Sequence, residues 1–503
     1  MSQTEAIPQT LPRDRAFGIA GPWRGWLGLA ALVAVAIALR HWLAANTDVS
    51  WLLTCAERVI DGGRLYADII ETNPPMAVLV YIPGVLLARA LGCPAETVTD
   101  ALVFAAILVS LAATASILRR SAARRGVPGW PLGLLGFFVL AILPTQTFGQ
   151  REHIALIGLL PMLAVIALRA QGDAPPRWAV VTAGLGAGVA LAFKPYFAIG
   201  LGCGLGALAV QARAWRGLVA PENVIAAAFA ALYLLGVTLL FPEFFSVIGP
   251  MVRDVYLPVG IPFEALLAKP AVPLWAILIL AILALRRHGG IDATLLLLLA
   301  SSTGFAVAFL AQRKGWPYHS YPMLALALLG LGQALLSPAR PAPGRALRIG
   351  AVLVLAVVAV RAMLWFDVAF DARPLRQAVS RLGPRPAILA ITGEPGIGHP
   401  LVRALGGTWV SRQQGLWIAT YLEFMRRDGP LGPARDAMLD AYAARERAML
   451  IEDIRIRPPT VVLVDDLTGA GGAWLRAHPD IAALLADFVA VETVNNVAIL
   501  ARR

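Results

Sequence analysis

From residue 25 to residue 366 the chain is a succession of apolar runs, each roughly twenty residues long, the length of helix that crosses a hydrocarbon core of ~30 Å. Runs such as LGLAALVAVAIAL (27–39), ALVFAAILVSLAATA (101–115) and IGAVLVLAVVAV (349–360) contain no charge. In lipid a backbone must satisfy its own hydrogen bonds, which restricts these runs to helices. With 58% hydrophobic and 15% charged residues, the chain reads as a polytopic α-helical membrane protein and not as a soluble globular one. Polar and basic residues precede the first run and no small-residue cleavage motif follows it, so it is expected to be a retained span. The net charge of +12 lies in short arginine clusters between apolar runs. The positive-inside rule explains them there, and no nucleic-acid partner is expected. Cys55, Cys93 and Cys203 show no metal-ligand spacing. Cys203 falls within an apolar run, which leaves Cys55–Cys93 as the one conceivable disulfide.

The arginine clusters also orient the spans. Cytoplasmic candidates are Arg13, Arg15 and Arg24, RRSAARRG (119–126), Arg169 to Arg177, Arg213 with Arg216, Arg286 to His288, and Arg340, Arg345 and Arg348. If the run at 75–93 crossed the membrane, RRSAARRG and every later cluster would fall outside. Pro74-Pro75 before it and Pro83-Gly84 within it instead predict an interfacial or re-entrant segment that returns to the same face. Spans are then expected near 25–45, 99–118, 129–148, 153–170, 178–193, 196–212, 222–241, 270–285, 291–311, 321–337 and 347–366. The expected architecture is an all-α polytopic membrane domain of about eleven transmembrane helices plus interfacial or re-entrant helices, followed by a small C-terminal extracytoplasmic α/β domain. Residues 1–24 form a cytoplasmic tail, 25–366 the membrane domain with its first outer loop at 46–98, and 367–503 the soluble domain. In the last, AILAIT (387–392), TVVLVDD (460–466) and VAILARR (497–503) read as strands of a parallel or mixed sheet. GPARDAMLDAYAARERAMLIEDI reads as a helix and GEPGIGHP as a loop.

On this topology every chemically suggestive stretch falls on the outer face, while span interiors hold few ionisable groups, Arg40 and Arg361 near span ends being the main candidates. That pattern favours surface chemistry over a midplane transport path. Asp48 follows the first span and is either the N-cap of an interfacial helix or a reactive carboxylate. Asp68, Glu71 and Asn73 precede Pro74-Pro75, which forces an extended turn. Glu152, between Arg151 and His153, is either part of an ion pair at a helix start or the second carboxylate of a site with Asp48. Two such acids can share a divalent metal, with His153 as a further ligand, or one can act as general base while cations keep the other ionised. Lys194, Arg313 and Lys314 end apolar runs and are either snorkelling cations or, with Arg151 and His319, a phosphate-binding cluster. Trp316, Tyr318 and Tyr321 in RKGWPYHSYP are either an interface belt or a stacking wall for a sugar or isoprenoid.

The order of these features resembles the C-type fold of integral-membrane glycosyltransferases that use polyprenyl-phosphate sugars, a group that includes protein O-mannosyltransferases, lipid A aminoarabinose transferases and rhizobial lipopolysaccharide galacturonosyltransferases. The residues that carry the resemblance are Asp48 just after the first span, ETNPPM (71–76), RRSAARRG, Glu152 in GQREH and the late RKGWPYHSYP, within residues 25–340. The resemblance implies a polyprenyl-phosphate sugar donor, an envelope glycan, lipid or protein as acceptor, and direct displacement with inversion. It implies acceptor activation or metal binding at Asp48, and donor phosphate binding at Glu152, Lys194, Arg313, Lys314 and His319. Asp48 lacks an acidic neighbour and Asn73 stands before the Pro pair, which leaves the sugar open. A lipid-linked sugar flippase, an O-antigen-type ligase and an acyltransferase are the alternatives. The expected location is a bacterial inner membrane.

Overall fold

The computed structural model describes residues 22–43, 45–121, 129–213, 215–338, 341–466 and 471–503. The N-terminal tail with Arg13 and Arg15, together with Arg124, Arg125 and Arg340, lies outside the described residues. The membrane domain contains α1 (Pro22–Trp42), α2 (Thr47–Ile60), a short turn Met76–Leu79, α3 (Ile82–Leu91), α4 (Ala95–Leu118), α5 (Trp130–Ala141), α6 (Arg151–Ala170) and α7 (Arg177–Phe193). It continues with α8 (Phe197–Ala212), α9 (Pro221–Leu240), α10 (Ala271–Arg286), α11 (Ala293–Gln312), α12 (Tyr321–Leu336) and α13 (Arg345–Phe366). Among the described residues seven helices are long and apolar enough to span a bilayer: α1, α4, α6, α9, α11, α12 with the turn before it, and α13. The apolar helices α5, α7, α8 and α10 are shorter. Each of the eleven expected spans is therefore helical, but not each is a full-length crossing by itself.

α6 and α12 are the buried centre, whereas α1, α9 and α13 turn most of their surface outward. Lipid supplies no hydrophobic drive between helices, so close approach depends on small residues. α6 and α7 cross at Gly158 and Gly186, where a Cβ on Gly186 would stand 2.3 Å from the Gly158 carbonyl oxygen.

Polar contacts sort the two ends of the bundle. At one end Arg169 pairs with Glu222 at 2.7 Å, Gln171 donates to Thr294, and Arg286 donates to the carbonyls of Ala334, Ser337 and Pro338. At the other end Arg40 of α1 reaches the Thr145 carbonyl, and Glu96 at the start of α4 reaches the C-terminal domain. Residues 45–94 thus begin and end at one end of the bundle. Within them, Trp51 of α2 donates to Glu71 before the 76–91 segment, and Asp61 after α2 pairs with Arg89 near that segment's end at 2.7 Å. The break expected at Pro83-Gly84 falls instead at Val80–Tyr81, with Pro83 in the first turn of α3, where a missing N–H costs nothing.

The C-terminal domain holds α14 (Arg373–Ser380), β1 (Ala387–Ile391), β2 (Thr408–Trp409), α15 (Trp417–Asp428), α16 (Pro433–Ile456), β3 (Val461–Asp465), β4 (Phe488–Val494) and β5 (Val497–Arg502). The sheet order is β2-β1-β3-β5-β4, with β2, β1 and β3 parallel and β5 antiparallel to both neighbours. The three expected strands are present. β4 escaped the sequence reading because its outward residues are half-buried or exposed and a bulge at 490–492 breaks its alternation. Asn495 and Asn496, at φ of 51° and 60°, close the β4–β5 hairpin, a conformation that Asn tolerates. GEPGIGHP is not a plain loop: Glu394 accepts from the Gly396 N–H at 2.9 Å to start a short helical turn, Pro395–Gly398. His399 beyond it is buried against Trp51 and Trp409, with ring centroids 5.4 and 4.8 Å apart.

This domain grips α2 along its length. Arg403 forks onto Glu57 at 2.6 and 2.8 Å and also reaches Glu96, Arg58 donates to the Ser411 and Trp409 carbonyls, and the Ile70 N–H, beyond α2, donates to the Arg412 carbonyl at 2.7 Å. The conceivable Cys55–Cys93 disulfide is not formed: both thiols are free, Cys55 buried and Cys93 exposed. Removal of the Arg403 fork leaves two carboxylates unpaired at a partly buried interface. Arg403→Met is expected to cost about 2 kcal/mol and to speed amide exchange in both α2 and residues 408–415. Faster exchange in only one of the two would show that Arg403 does not couple them.

Candidate functional site

The site is built where α2 and α6 start. Asn46, with extended backbone, caps α2: its Oδ1 accepts from the N–H groups of Asp48 and Val49 at 2.9 and 3.3 Å, and from Gln150 Nε2 at 2.7 Å. The capping role open to Asp48 is therefore filled two residues earlier. The Asp48 side chain turns to α6, where its Oδ2 accepts from Arg151 Nη2 at 3.0 Å. One residue on, Glu152 Oε1 accepts from Lys194 Nζ at 2.7 Å and from the Tyr196 hydroxyl at 3.1 Å. Lys194 ends α7 with extended backbone, as a residue before proline must. His319 Nε2 lies 3.3 Å from Lys194 Nζ and 3.9 Å from Glu152. An ammonium can only donate, so Nε2 accepts and the His319 proton sits on Nδ1.

The result is two ion pairs side by side, from three chain segments distant in sequence. Arg151 is 4% exposed and Glu152 fully buried, whereas Asp48 and Lys194 keep 25% and 15% of their side chains open. Burial raises the Asp48 carboxyl above its ordinary range; Arg151 opposes this, and Glu71 and Glu152 reinforce it. Several buried polar atoms have no protein partner: Arg151 Nε, Glu152 Oε2, His319 Nδ1 and Gln150 Oε1. Groups left so in a core call for water or a ligand, and three of them belong to this cluster of charged and imidazole side chains.

Other expected site residues stand elsewhere. His153 accepts from the Gly149 N–H at 2.9 Å through Nδ1 and donates to the Leu140 carbonyl at 2.7 Å through Nε2. Both nitrogens are committed, one to the turn before α6 and one to the end of α5, so neither is free for a metal. Among the described residues no group of three or more His, Cys, Asp or Glu converges for a metal. With both Asp48 and Glu152 already matched by cations, the residues present do not fit a divalent ion. Glu71 accepts from Trp51 and Asn73, and Tyr66 donates to the Asn73 carbonyl, so Glu71 and Asn73 lock the Pro-Pro turn. Arg313 is exposed, closes α11 in the left-handed region and donates to the Ile261 carbonyl at 3.2 Å. Lys314 donates to the Tyr256 and Val259 carbonyls beneath the Tyr256 ring, and burial lowers its ammonium to about 8. Both cations are drawn to segment 256–261, Arg313 at the surface and Lys314 beneath the Tyr256 ring that meets Trp316. Tyr321 is fully buried and donates to the Val139 carbonyl at 2.8 Å.

Trp316 and Tyr318 do border the site. Tyr318 stacks on Trp316 at 5.7 Å, and Lys194 Nζ lies 5.4 Å from its ring. The sequence reading missed Asn46, Gln150, Tyr256 and Tyr421. Asn46, two residues before Asp48, was a legible cap signal. Tyr421 carried none, because nothing local says that a helix of the soluble domain faces a membrane-domain site. If Asn46 is the cap, Asn46→Ala should cost about 1 kcal/mol and expose the Asp48 and Val49 amides to exchange. Asp48→Ala should leave them protected, and the reverse result would return the cap to Asp48.

No protein-family model matches the chain, and no curated protein matches it. Solved structures do. The crystal structure of ArnT from Cupriavidus metallidurans bound to undecaprenyl phosphate superposes with a TM-score of 0.57 at 16% identity, covering 96% of this chain and 98% of that one. Its apo form gives 0.55 at 16% identity, covering 95% and 98%. At that identity the likeness is one of fold. It extends over the membrane helices and the C-terminal domain together, and the chain has the C-type fold of an integral membrane protein.

Proposed function

We propose that the protein transfers a sugar from a polyprenyl-phosphate donor to a hydroxyl of an extracytoplasmic acceptor, with inversion. The observation that carries this reading is the pairing of Asp48–Arg151 with Glu152–Lys194 at one end of the bundle. Support comes also from the fold shared with ArnT, whose crystal structure holds undecaprenyl phosphate. The N-terminus is assigned to the cytoplasm and the site and C-terminal domain to the outer face of a bacterial inner membrane, because the arginine clusters fall at the opposite end.

Lys194 uses two of its three donors, on Glu152 and His319, and Arg151 keeps its Nε free, so each retains a donor for a phosphate. Glu152 stays ionised beside Lys194 and holds that ammonium, with Tyr196 and His319, at the end of α7. Asp48 takes the proton of the acceptor hydroxyl as its oxygen attacks the anomeric carbon, and the bond from that carbon to the phosphate oxygen breaks. The donor phosphodiester carries one negative charge and the departing polyprenyl phosphate two, while Asp48 goes from one to none. Total charge in the buried site is conserved through the step. Arg151, released by the neutralised Asp48, turns its attraction to the phosphate that gained the charge, which stabilises the leaving group when it is needed. The charge balance of this step closes without a metal.

Proteoliposomes supplied with radiolabelled polyprenyl-phosphate sugars and an envelope glycan extract test the reading. Wild type should yield labelled product, and Asp48→Asn should lose about 10²–10⁴-fold in kcat with little change in donor KM. Labelled lipid that crosses the bilayer without product would mean a flippase. Because Asp48 must be ionised to act and burial holds its carboxyl high, activity should fall with acid along a limb above the usual carboxylate range. An acid limb at an ordinary Asp value, or none, would assign the proton transfer to another group.

A further inference from the structure

The first of three tyrosine-bearing segments at the site, α15, belongs to the soluble domain and carries Trp417, Tyr421 and Phe424 on one face. The neighbouring face, Ile418, Leu422 and Met425, is buried in the domain core. The aromatic face is only half-covered, with Phe424 36% exposed. It continues into the membrane domain. Phe424 lies 6.3 Å from Tyr421, Tyr421 5.8 Å from Tyr256, Tyr256 6.0 Å from Trp316, and Trp316 5.7 Å from Tyr318, measured between ring centroids. Tyr318 in turn borders Lys194. The row therefore runs from the outer rim of the soluble domain to the ion-pair cluster. Beside the row, Gln414 in the segment just before α15 donates to the Thr47 carbonyl, next to Asp48, at 3.5 Å.

Three features of this row select its occupant. Its rim is flanked by solvated ion pairs, Arg426 with Asp436 and Asp440 and Arg427 with Glu423, which do not suit an isoprenoid chain. Lys314, the cation under the row, spends two of its three donors on backbone carbonyls, so a phosphorylated ligand gains a single N–H from it. The near-constant ring spacing is close to the repeat of successive pyranose units, whose C–H faces stack on aromatic rings while their hydroxyls stay wet. We propose that Phe424, Tyr421, Tyr256 and Trp316 form the acceptor subsite, that the acceptor is an oligosaccharide, and that α15 of the C-terminal domain presents its terminal hydroxyl to Asp48. This assignment rests on the transferase reading and names its acceptor class. The donor then occupies the Lys194 side, and the two substrates meet at Asp48.

The test uses the full-length protein in proteoliposomes, radiolabelled polyprenyl-phosphate hexoses and pentoses as donors, and two acceptor probes: core oligosaccharide released from lipopolysaccharide, and a Ser/Thr-rich peptide. Tyr421→Ala should raise the oligosaccharide KM about tenfold, the size of one lost stacking contact, while donor KM holds within about twofold. Tyr421→Phe, which keeps the ring, should return the oligosaccharide KM to the wild-type value, and Phe424→Ala at the rim should give a smaller rise. Transfer to the peptide with the oligosaccharide refused would overturn the acceptor class. Equal shifts in donor and acceptor KM, or none, with an active wild type would overturn the subsite alone. A wild type that consumes no donor would overturn the transferase reading and this assignment with it.

Discussion

Four charges held at one end of a helical bundle, Asp48 against Arg151 and Glu152 against Lys194, are the constraint around which the rest of this structure is arranged. An unpaired charge in such a place is costly, and removing one partner of a buried pair is strongly destabilising. Each pair therefore fixes the elements that supply it. Asp48 fixes the start of α2 over the start of α6, and Lys194 fixes the end of α7 beside it. The Lys194 contact also draws in His319, and with it the turn before α12. The contacts that keep the bundle end closed are the same ones that gather its charged groups.

The C-terminal domain extends that arrangement. It holds α2 from the far side through Arg403, Arg58 and the buried His399, so the helix that carries Asp48 is clamped between two bodies. It also contributes Tyr421 to the wall of the site. A soluble domain appended to a membrane domain is easily read as an accessory. In this protein it shares contacts with the helix that carries Asp48 on one side and with the aromatic row on the other.

The sequence reading succeeded where chemistry is local and failed where it is shared. Asp48, Arg151, Glu152 and Lys194 stand at helix ends, and helix ends are legible from where apolar runs stop. Their convergence was inferred from topology and is present in the structure. Arg313 and Lys314 looked equivalent to Lys194, because each is a cation ending an apolar run. They bind the carbonyls at 256–261 instead, and that loop's path is invisible in sequence. His153 adjoins Glu152 in sequence, yet a helix turns neighbours about 100° apart, and its ring closes the Gly149 turn rather than the site.

The sequence by itself determined that this chain lives in a membrane as a helical bundle, which end of the bundle gathers Asp48, Arg151, Glu152 and Lys194, and that a small mixed α/β domain follows. Hydrophobic length, proline placement and arginine clustering are properties of contiguous residues, and each acts through a local free energy that needs no knowledge of the partner. Only the tertiary structure decided which carboxylate meets which cation, that no three donors gather for a metal among the described residues, and that α15 faces the site. Those outcomes depend on pairing between residues distant in the chain, Arg403 with Glu57 and Tyr421 with Tyr256, and pair energies exist only once the fold has set the distance between the partners.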